Sequence, residues 1–290
     1  MTMSLPGLDY PAPAKLNLFL HVVGRRADGY HLLQSVFTLL DYGDNIRVRV
    51  RDDGAVRRVN ELAGIPEAED LTVRAAQMLR EASGTSRGAD IEVEKRIPLG
   101  GGLGGGSSDA ATVLLALDRL WGTGFGPDAL AELGASLGAD IPFFLHGATA
   151  WAEGVGERLK PIAIPQRWYV VLAPPVAVPT KAIFAAPELT RNTEPLKMED
   201  FSARPQEADR TGALARFHND LEPVVTARYP VVREHLEWLR QHGDARMTGS
   251  GSCVFAAFDS REEAQKVLRQ ASPMKGFVAQ GMATHPLRAS

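Results

Sequence analysis

The stretch Pro98-Leu99-Gly100-Gly101-Gly102-Leu103-Gly104-Gly105-Gly106-Ser107-Ser108 sets six glycines directly before an apolar-periodic segment. Ala110, Val113, Leu114, Leu117, Leu120 and Trp121 recur at helical spacing, and Gly122 sits where a C-terminal cap belongs. Glycines let a backbone approach an anion closely and turn several N–H groups toward it. The N-terminus of the following helix adds partial positive charge, and Ser107 or Ser108 is expected to cap it. The stretch reads as a polyphosphate cradle, with a plain helix-entry turn as the bland alternative. A Walker A loop needs Gly-Lys-Ser/Thr at the helix start, and no lysine lies between Gly100 and Arg119. Gly100, Gly102 and Gly105 satisfy G-x-G-x-x-G. A dinucleotide fold, however, wants a continuous apolar strand before the loop, and Ile91 to Ile97 carries Glu92, Glu94, Lys95 and Arg96.

Upstream of the cradle, Lys15 to Val22 alternates as a half-buried strand does, with Lys15, Asn17, Phe19 and His21 on one face. Asp28-Gly29 is a turn signal; Ser35 to Leu40 and Ile46 to Val50 read as two further strands. Asp70 is placed to cap a helix that Gly84 closes, and Ile91, Val93 and Ile97 mark another strand. The first ten residues read as a leader outside the fold. Downstream, a short helix from about Pro127 to Leu137 stops at Gly138, just before Asp140. Tyr169 to Leu172 is a strand, Pro187 to Arg210 is loop-like, and Asn219 to Gln241 is helical with a break at Tyr229-Pro230. The end reads strand, tight turn, strand, helix, strand. Strands and helices mix without strict alternation, which favours α+β over a doubly wound fold. A domain change is expected near Lys160, giving residues 1–160 and 161–290.

Composition narrows the function. The 290 residues carry 32 Lys+Arg against 35 Asp+Glu, a net charge of −3, with no basic block, which argues against a nucleic-acid backbone binder. Cys253 is the single cysteine, so an intramolecular disulfide and a Cys-rich zinc site are excluded; its apolar neighbours make it a small buried strand residue. No apolar run reaches the ~18 residues of a membrane span, and no signal-peptide pattern opens the chain. A cytoplasmic protein with no membrane partner is expected. The histidines show no metal-binding spacing.

A proline, an apolar residue and a glycine run ending Gly-Gly-Ser-Ser before a helix resemble the galactokinase, homoserine kinase, mevalonate kinase and phosphomevalonate kinase (GHMP) superfamily. Further blocks narrow the resemblance to its 4-diphosphocytidyl-2-C-methyl-D-erythritol kinases. These are Pro13-Ala14-Lys15-Leu16-Asn17-Leu18, Gly24 to His31 with Leu33-Gln34, Gly138-Ala139-Asp140-Ile141-Pro142, Glu153 to Glu157, Pro179-Thr180 through Phe184, and Asn219 to Glu222. Thr248-Gly249-Ser250-Gly251-Ser252 matches the superfamily's third motif, so the likeness runs from Pro13 to Ser252.

The resemblance implies a two-domain GHMP fold: an N-terminal ribosomal-protein-S5-like nucleotide domain and a C-terminal ferredoxin-like, substrate-binding domain, with substrate between them. It implies ATP-dependent phosphorylation of the 2-hydroxyl of the cytidine-diphosphate-linked methylerythritol, in the non-mevalonate isoprenoid route. Asp140 would accept the hydroxyl proton or orient that oxygen. Lys15 would pair with it and stabilise charge on the transferring phosphoryl group. ATP would lie on Pro98, Leu99, Gly100, Gly101, Gly102, Leu103, Gly104, Gly105, Gly106, Ser107 and Ser108, with Lys95 beside them. Tyr30, His31 and Phe184 would hold the cytidine, Asn17 and Thr180 the rest of the acceptor, and Gly249, Ser250 and Gly251 would wall the phosphate site. Mg²⁺ would arrive with ATP, Asp140 and Ser108 being possible ligands. Asp109, one residue past the serines, is expected to point away from the nucleotide.

Overall fold

The computed structural model describes residues 7–202 and 216–288. In chain order the first half holds β1 (Leu8–Arg25), β2 (His31–Arg51), β3 (Val56–Arg58), α1 (Leu71–Ser83), β4 (Gly88–Glu94), α2 (Gly105–Trp121), α3 (Gly126–Ala135), α4 (Ile141–His146), β5 (Ala150–Glu153) and β6 (Arg158–Pro161). The second half holds β7 (Trp168–Leu172), α5 (Thr180–Phe184), α6 (Met198–Ser202), α7 (Glu222–Arg228), α8 (Pro230–Arg240), β8 (Ala245–Met247), β9 (Val254–Phe258), α9 (Arg261–Gln270) and β10 (Gly276–Met282). The loop-like stretch expected up to Arg210 therefore contains α6; its residues 203–210 lie outside the described residues.

The frame is the long hairpin of β1 and β2, turned at Asp28-Gly29, where Gly29 takes φ +92°. The two strands expected inside β2 are one. Its edge stays occupied because Ser35–Phe37 pair with β5, Leu39–Leu40 with β10 and Asn45–Arg51 with β4. Leu8, Asp9 and Tyr10, expected outside the fold, belong to β1 and pair with Val48, Arg47 and Ile46. The main path of the sheet runs β3-β4-β2-β10-β7-β9-β8, with β1 on β2 and β5 joining β2 to β6.

β1 is not half-buried. Every residue from Ala12 to Val22 is inside, because α2 packs on it and Phe201 and Phe217 meet Phe19. Lys15 and Asn17 thus share a face, as the alternation requires, but that face is enclosed. α1 forms as read: Asp70 accepts from the Thr72 amide at 2.8 Å, and Gly84 closes it at φ +65°. α2 begins earlier than the serines suggest. Gly104, in the left-handed region at φ +73°, caps it, and Ser107 and Ser108 fall inside its first turns. A glycine can hold that conformation at no steric cost, which a serine cannot. Ile97 lies beyond β4, fixed instead by its amide, which donates to the Asp44 carboxylate at 2.8 Å.

One apolar core lies between α1 to α4 and the first-half strands; a second lies under α5, α7, α8 and α9. A third, around Phe19, Leu103, Trp151 and Cys253, fills the ground between them.

Candidate active site

A cleft of about 430 Å³ opens where the glycine stretch, β1 and the turn after β8 meet. Lys15, Asn17, Lys95, Pro98 through Ser107, Asp140, Thr180, Phe184, Gly249 and Ser250 all line it. Its charged lining among the described residues is two ammonium groups, Lys15 and Lys95, and one carboxylate, Asp140.

Lys15 is 3% exposed, and a buried ammonium needs partners. Its Nζ donates to Asn17 Oδ1 at 2.5 Å and lies 3.4 Å from Asp140 Oδ2. The ring of Phe37 supplies a third contact, 5.1 Å from Nζ to its centroid. Asn17 is held in turn, its Nδ2 donating to Ser35 Oγ at 2.8 Å and its amide to Thr248 Oγ1 at 2.9 Å. The Lys15 amide donates to Leu103 O at 3.0 Å, so β1 and the glycine stretch are tied at the lysine itself. Asp140 stands at the start of α4, which Pro142 allows to begin abruptly.

The glycine stretch is laced to the turn after β8. Ser252 and Cys253 amides donate to Gly100 O at 3.3 Å and Gly101 O at 3.1 Å. At Gly102, φ +76°, a Cβ would stand 2.3 Å from Thr248 O, so any side chain there is strained and forces the backbone to shift. Asn219 supports the same turn, its Nδ2 donating to Met247 O and Gly249 O, each at 2.8 Å. Thr180 and Ser250 close the far side with a hydroxyl contact of 2.6 Å.

Four expected site residues lie differently. Ser108 is fully enclosed and its hydroxyl donates to Pro13 O at 2.6 Å, so it holds α2 to β1 and offers no side chain to a nucleotide or a metal ion. Gly251 faces Met247 and Val225 rather than the cleft. Tyr30 is 64% exposed at the hairpin tip. His31 is outside the lining but touches it, its ring 5.1 Å from that of Phe184 and tilted by 35°. Burial, then the charges of Arg191 and Arg25, hold the His31 imidazole below its ordinary pKa.

Asp109 does turn from the cleft, yet it is not idle. It ion-pairs with Lys95 at 2.8 Å, and Asp44 pairs with the same ammonium. Burial opposes the Lys95 charge, but Asp109 and Asp44 more than offset it and keep its pKa above the ordinary lysine value. Burial also lifts the Asp109 carboxyl well above the usual range, against the pull of Lys95. Cys253 is inside, as its neighbours implied, and burial pushes its thiol up to about 12.

Comparison with known proteins places this geometry. The family models "GHMP kinases N terminal domain" and "GHMP kinases C terminal" match residues 70–148 and 201–274. The 4-diphosphocytidyl-2-C-methyl-D-erythritol kinase of Thiobacillus denitrificans is 59% identical over 280 residues, covering 96% of each chain. The chain belongs to the 4-diphosphocytidyl-2-C-methyl-D-erythritol kinase family. The Nitrosospira multiformis member is 55% identical, over 97% of this chain and 93% of its own. A crystal structure of a 4-(cytidine 5'-diphospho)-2C-methyl-D-erythritol kinase superposes with a TM-score of 0.76 at 36% identity, covering 94% of this chain and 99% of that one. Homoserine kinase from Cytophaga hutchinsonii, at 18% identity and a TM-score of 0.69, shares the fold.

In this member of the family, sequence reading missed Asp44, Ser35, Thr248 and Arg191 as supports of the site. Asp44 falls between the two expected strands, and Arg191 lies in a stretch without periodicity. Ser35 and Thr248 meet Asn17 from 18 and 231 positions away, Asp44 meets Lys95 from 51, and Arg191 meets His31 from 160, separations that no local pattern reports.

Proposed function

We propose that the chain transfers the γ-phosphoryl group of ATP to the 2-hydroxyl of 4-diphosphocytidyl-2-C-methyl-D-erythritol, in non-mevalonate isoprenoid precursor synthesis. The observation that carries this reading is the Lys15–Asp140 pair, 3.4 Å apart at one end of the glycine stretch. Phosphoryl transfer is governed by positioning and electrostatics. Asp140 takes the hydroxyl proton or orients that oxygen, while Lys15, steadied by Asn17, meets the charge that develops on the equatorial oxygens. The amides of Gly100 to Gly106 and the start of α2 receive the phosphates, with Lys95 beside them. ATP supplies the transferable group and the leaving diphosphate. Mg²⁺ would enter on the nucleotide, with Asp140 as the lining carboxylate that suits it; Ser108, committed to Pro13, does not.

Phe184 and His31 hold the cytosine ring, and Tyr30 closes over it from the hairpin tip. Asn17 and Thr180 contact the remainder of the acceptor, and Gly249 and Ser250 wall the phosphate site. Residues 1–160 form the nucleotide and catalytic domain and residues 161–290 the second, substrate-binding domain. No helix among the described residues is long and apolar enough to cross a membrane. The buried lone thiol of Cys253 suits a reducing cytoplasm.

Kinetics with three acceptors test the reading. The cytidine substrate is expected to turn over well, its uridine analogue less well, and methylerythritol without a nucleotide very poorly, because remote binding energy positions the reacting hydroxyl. Equal efficiency with free methylerythritol would end the assignment.

A further inference from the structure

Arg191 connects the two sides of the aromatic clamp. It lies beyond α5, outside any helix or strand, yet each of its three nitrogens donates a hydrogen bond. Its Nε donates to His31 Nε2 at 3.1 Å, its Nη1 to Leu189 O at 3.0 Å, and its Nη2 to Phe184 O at 3.2 Å and to Ala186 O. The three carbonyls hold the guanidinium on the turn that follows Phe184. Its fourth bond reaches His31, at the start of β2.

A guanidinium has donors and no acceptor. The His31 Nε2 that it faces must therefore carry a lone pair, and the proton of the neutral ring is forced onto Nδ1. A second proton on the ring would set N–H against N–H. Burial is the first cause of the lowered His31 pKa, and the Arg191 charge adds to it. We infer that Arg191 is a positioning residue for base choice: by fixing His31 as the Nδ1–H tautomer, it presents a donor to the pyrimidine edge and selects cytosine over uracil. At N3 cytosine offers a lone pair where uracil carries a hydrogen, so a fixed donor meets an acceptor in one base and a clash of hydrogens in the other. Sites built around a buried polar group discriminate well, because the wrong partner leaves that group unpaired. The inference rests on the reading of His31 and Phe184 as the nucleobase site.

The test uses the full chain. ¹⁵N spectra of the wild-type imidazole at pH 7.5 should show His31 with a protonated Nδ1 and an unprotonated Nε2; in Arg191→Gln both tautomers should appear. The ratio of kcat/KM for the cytidine substrate over the uridine analogue should fall at least tenfold in Arg191→Gln. The KM for ATP and kcat with saturating cytidine substrate should stay within threefold. Arg191→Lys, whose single ammonium can still donate to His31 Nε2 but cannot span three carbonyls, should recover most of the ratio. A merely structural role in bracing the turn after Phe184 predicts no recovery. A wild-type His31 protonated on Nε2 would overturn the inference even if no variant folds, and so would an unchanged ratio in Arg191→Gln. His31→Ala separates the two levels. If it leaves the KM for the cytidine substrate unaltered, the nucleobase site itself is misread. If it destroys the ratio while Arg191→Gln does not, the error lies with Arg191 alone.

Discussion

Lys15 owes its position to being enclosed. An ammonium at 3% exposure cannot wander among rotamers, and Asn17 at 2.5 Å and Asp140 at 3.4 Å fix its direction. Asp140→Asn keeps the shape and removes the proton acceptor. Turnover should drop by about 10²–10⁴ with the acceptor's KM changed only a few-fold, as a positioned base requires. Steady-state kinetics decide it, and turnover within threefold of wild type would remove Asp140 from the base role. Alternation on one strand set Lys15 and Asn17 on one face, and the family resemblance singled out Lys15 and Asp140; the structure sets all three in the cleft lining. The place of Ser108 was not legible in the sequence. A serine beside a glycine loop can face a phosphate or the protein, and the choice depends on Pro13, 95 positions away.

Among elements, the glycine stretch shows why one segment cannot be understood alone. Gly104→Val would drive a Cβ into Phe144 and toward Lys15 Cε, 3.2 Å away, and so disturb the buried ammonium as well as the loop. Gly102 gives a cleaner probe, since its Cβ would meet Thr248 O. Gly102→Ala should weaken ATP binding by roughly 5- to 150-fold, the scale of about 1–3 kcal/mol of backbone strain, and spare the cytidine substrate. Calorimetric titration of each ligand separately measures it; equal ATP affinity in the variant would leave the stretch a structural turn. That this stretch opens a helix was visible in its composition, and the structure sets it in the cleft lining. Its lacing to the turn after β8 was not visible, because hydrogen bonds between amides and carbonyls leave no mark on side-chain identity.

At the scale of the molecule, buried histidines couple stability to acidity. Burial, with His218 adding to it and Asp220 opposing, lowers His21 to about 4; burial, with Arg288 and Arg119, does the same for His285. Unfolded, both take a proton near pH 6.5, so between there and pH 4 the unfolded chain binds more protons than the folded one. Stability is therefore full above pH 6.5 and falls as pH drops toward 4, by up to about 1.4 kcal/mol per pH unit for each residue. Urea midpoints at pH 7.5, 6 and 5 should show this slope, and His21→Phe, set beside Phe19, should lessen it. A variant slope equal to wild type would acquit His21. The mixed α+β architecture was readable from the order of strands and helices. The fusion of two expected strands into β2 was not, because its continuity is imposed by β5, β10 and β4, which come from distant parts of the chain.

The place of β10 in that sheet carries a cost during synthesis. Leu39 and Leu40 emerge early, but their partners Met282 and Gly281 come about 240 residues later. At about 5–20 residues per second, roughly 12 to 48 s pass with β1 on one side of Leu39 and the β10 side still open. Strand edges left open are where nascent chains stick to one another. The second strand thus waits on the last described one, and the interval between them is when a chaperone's cover matters most.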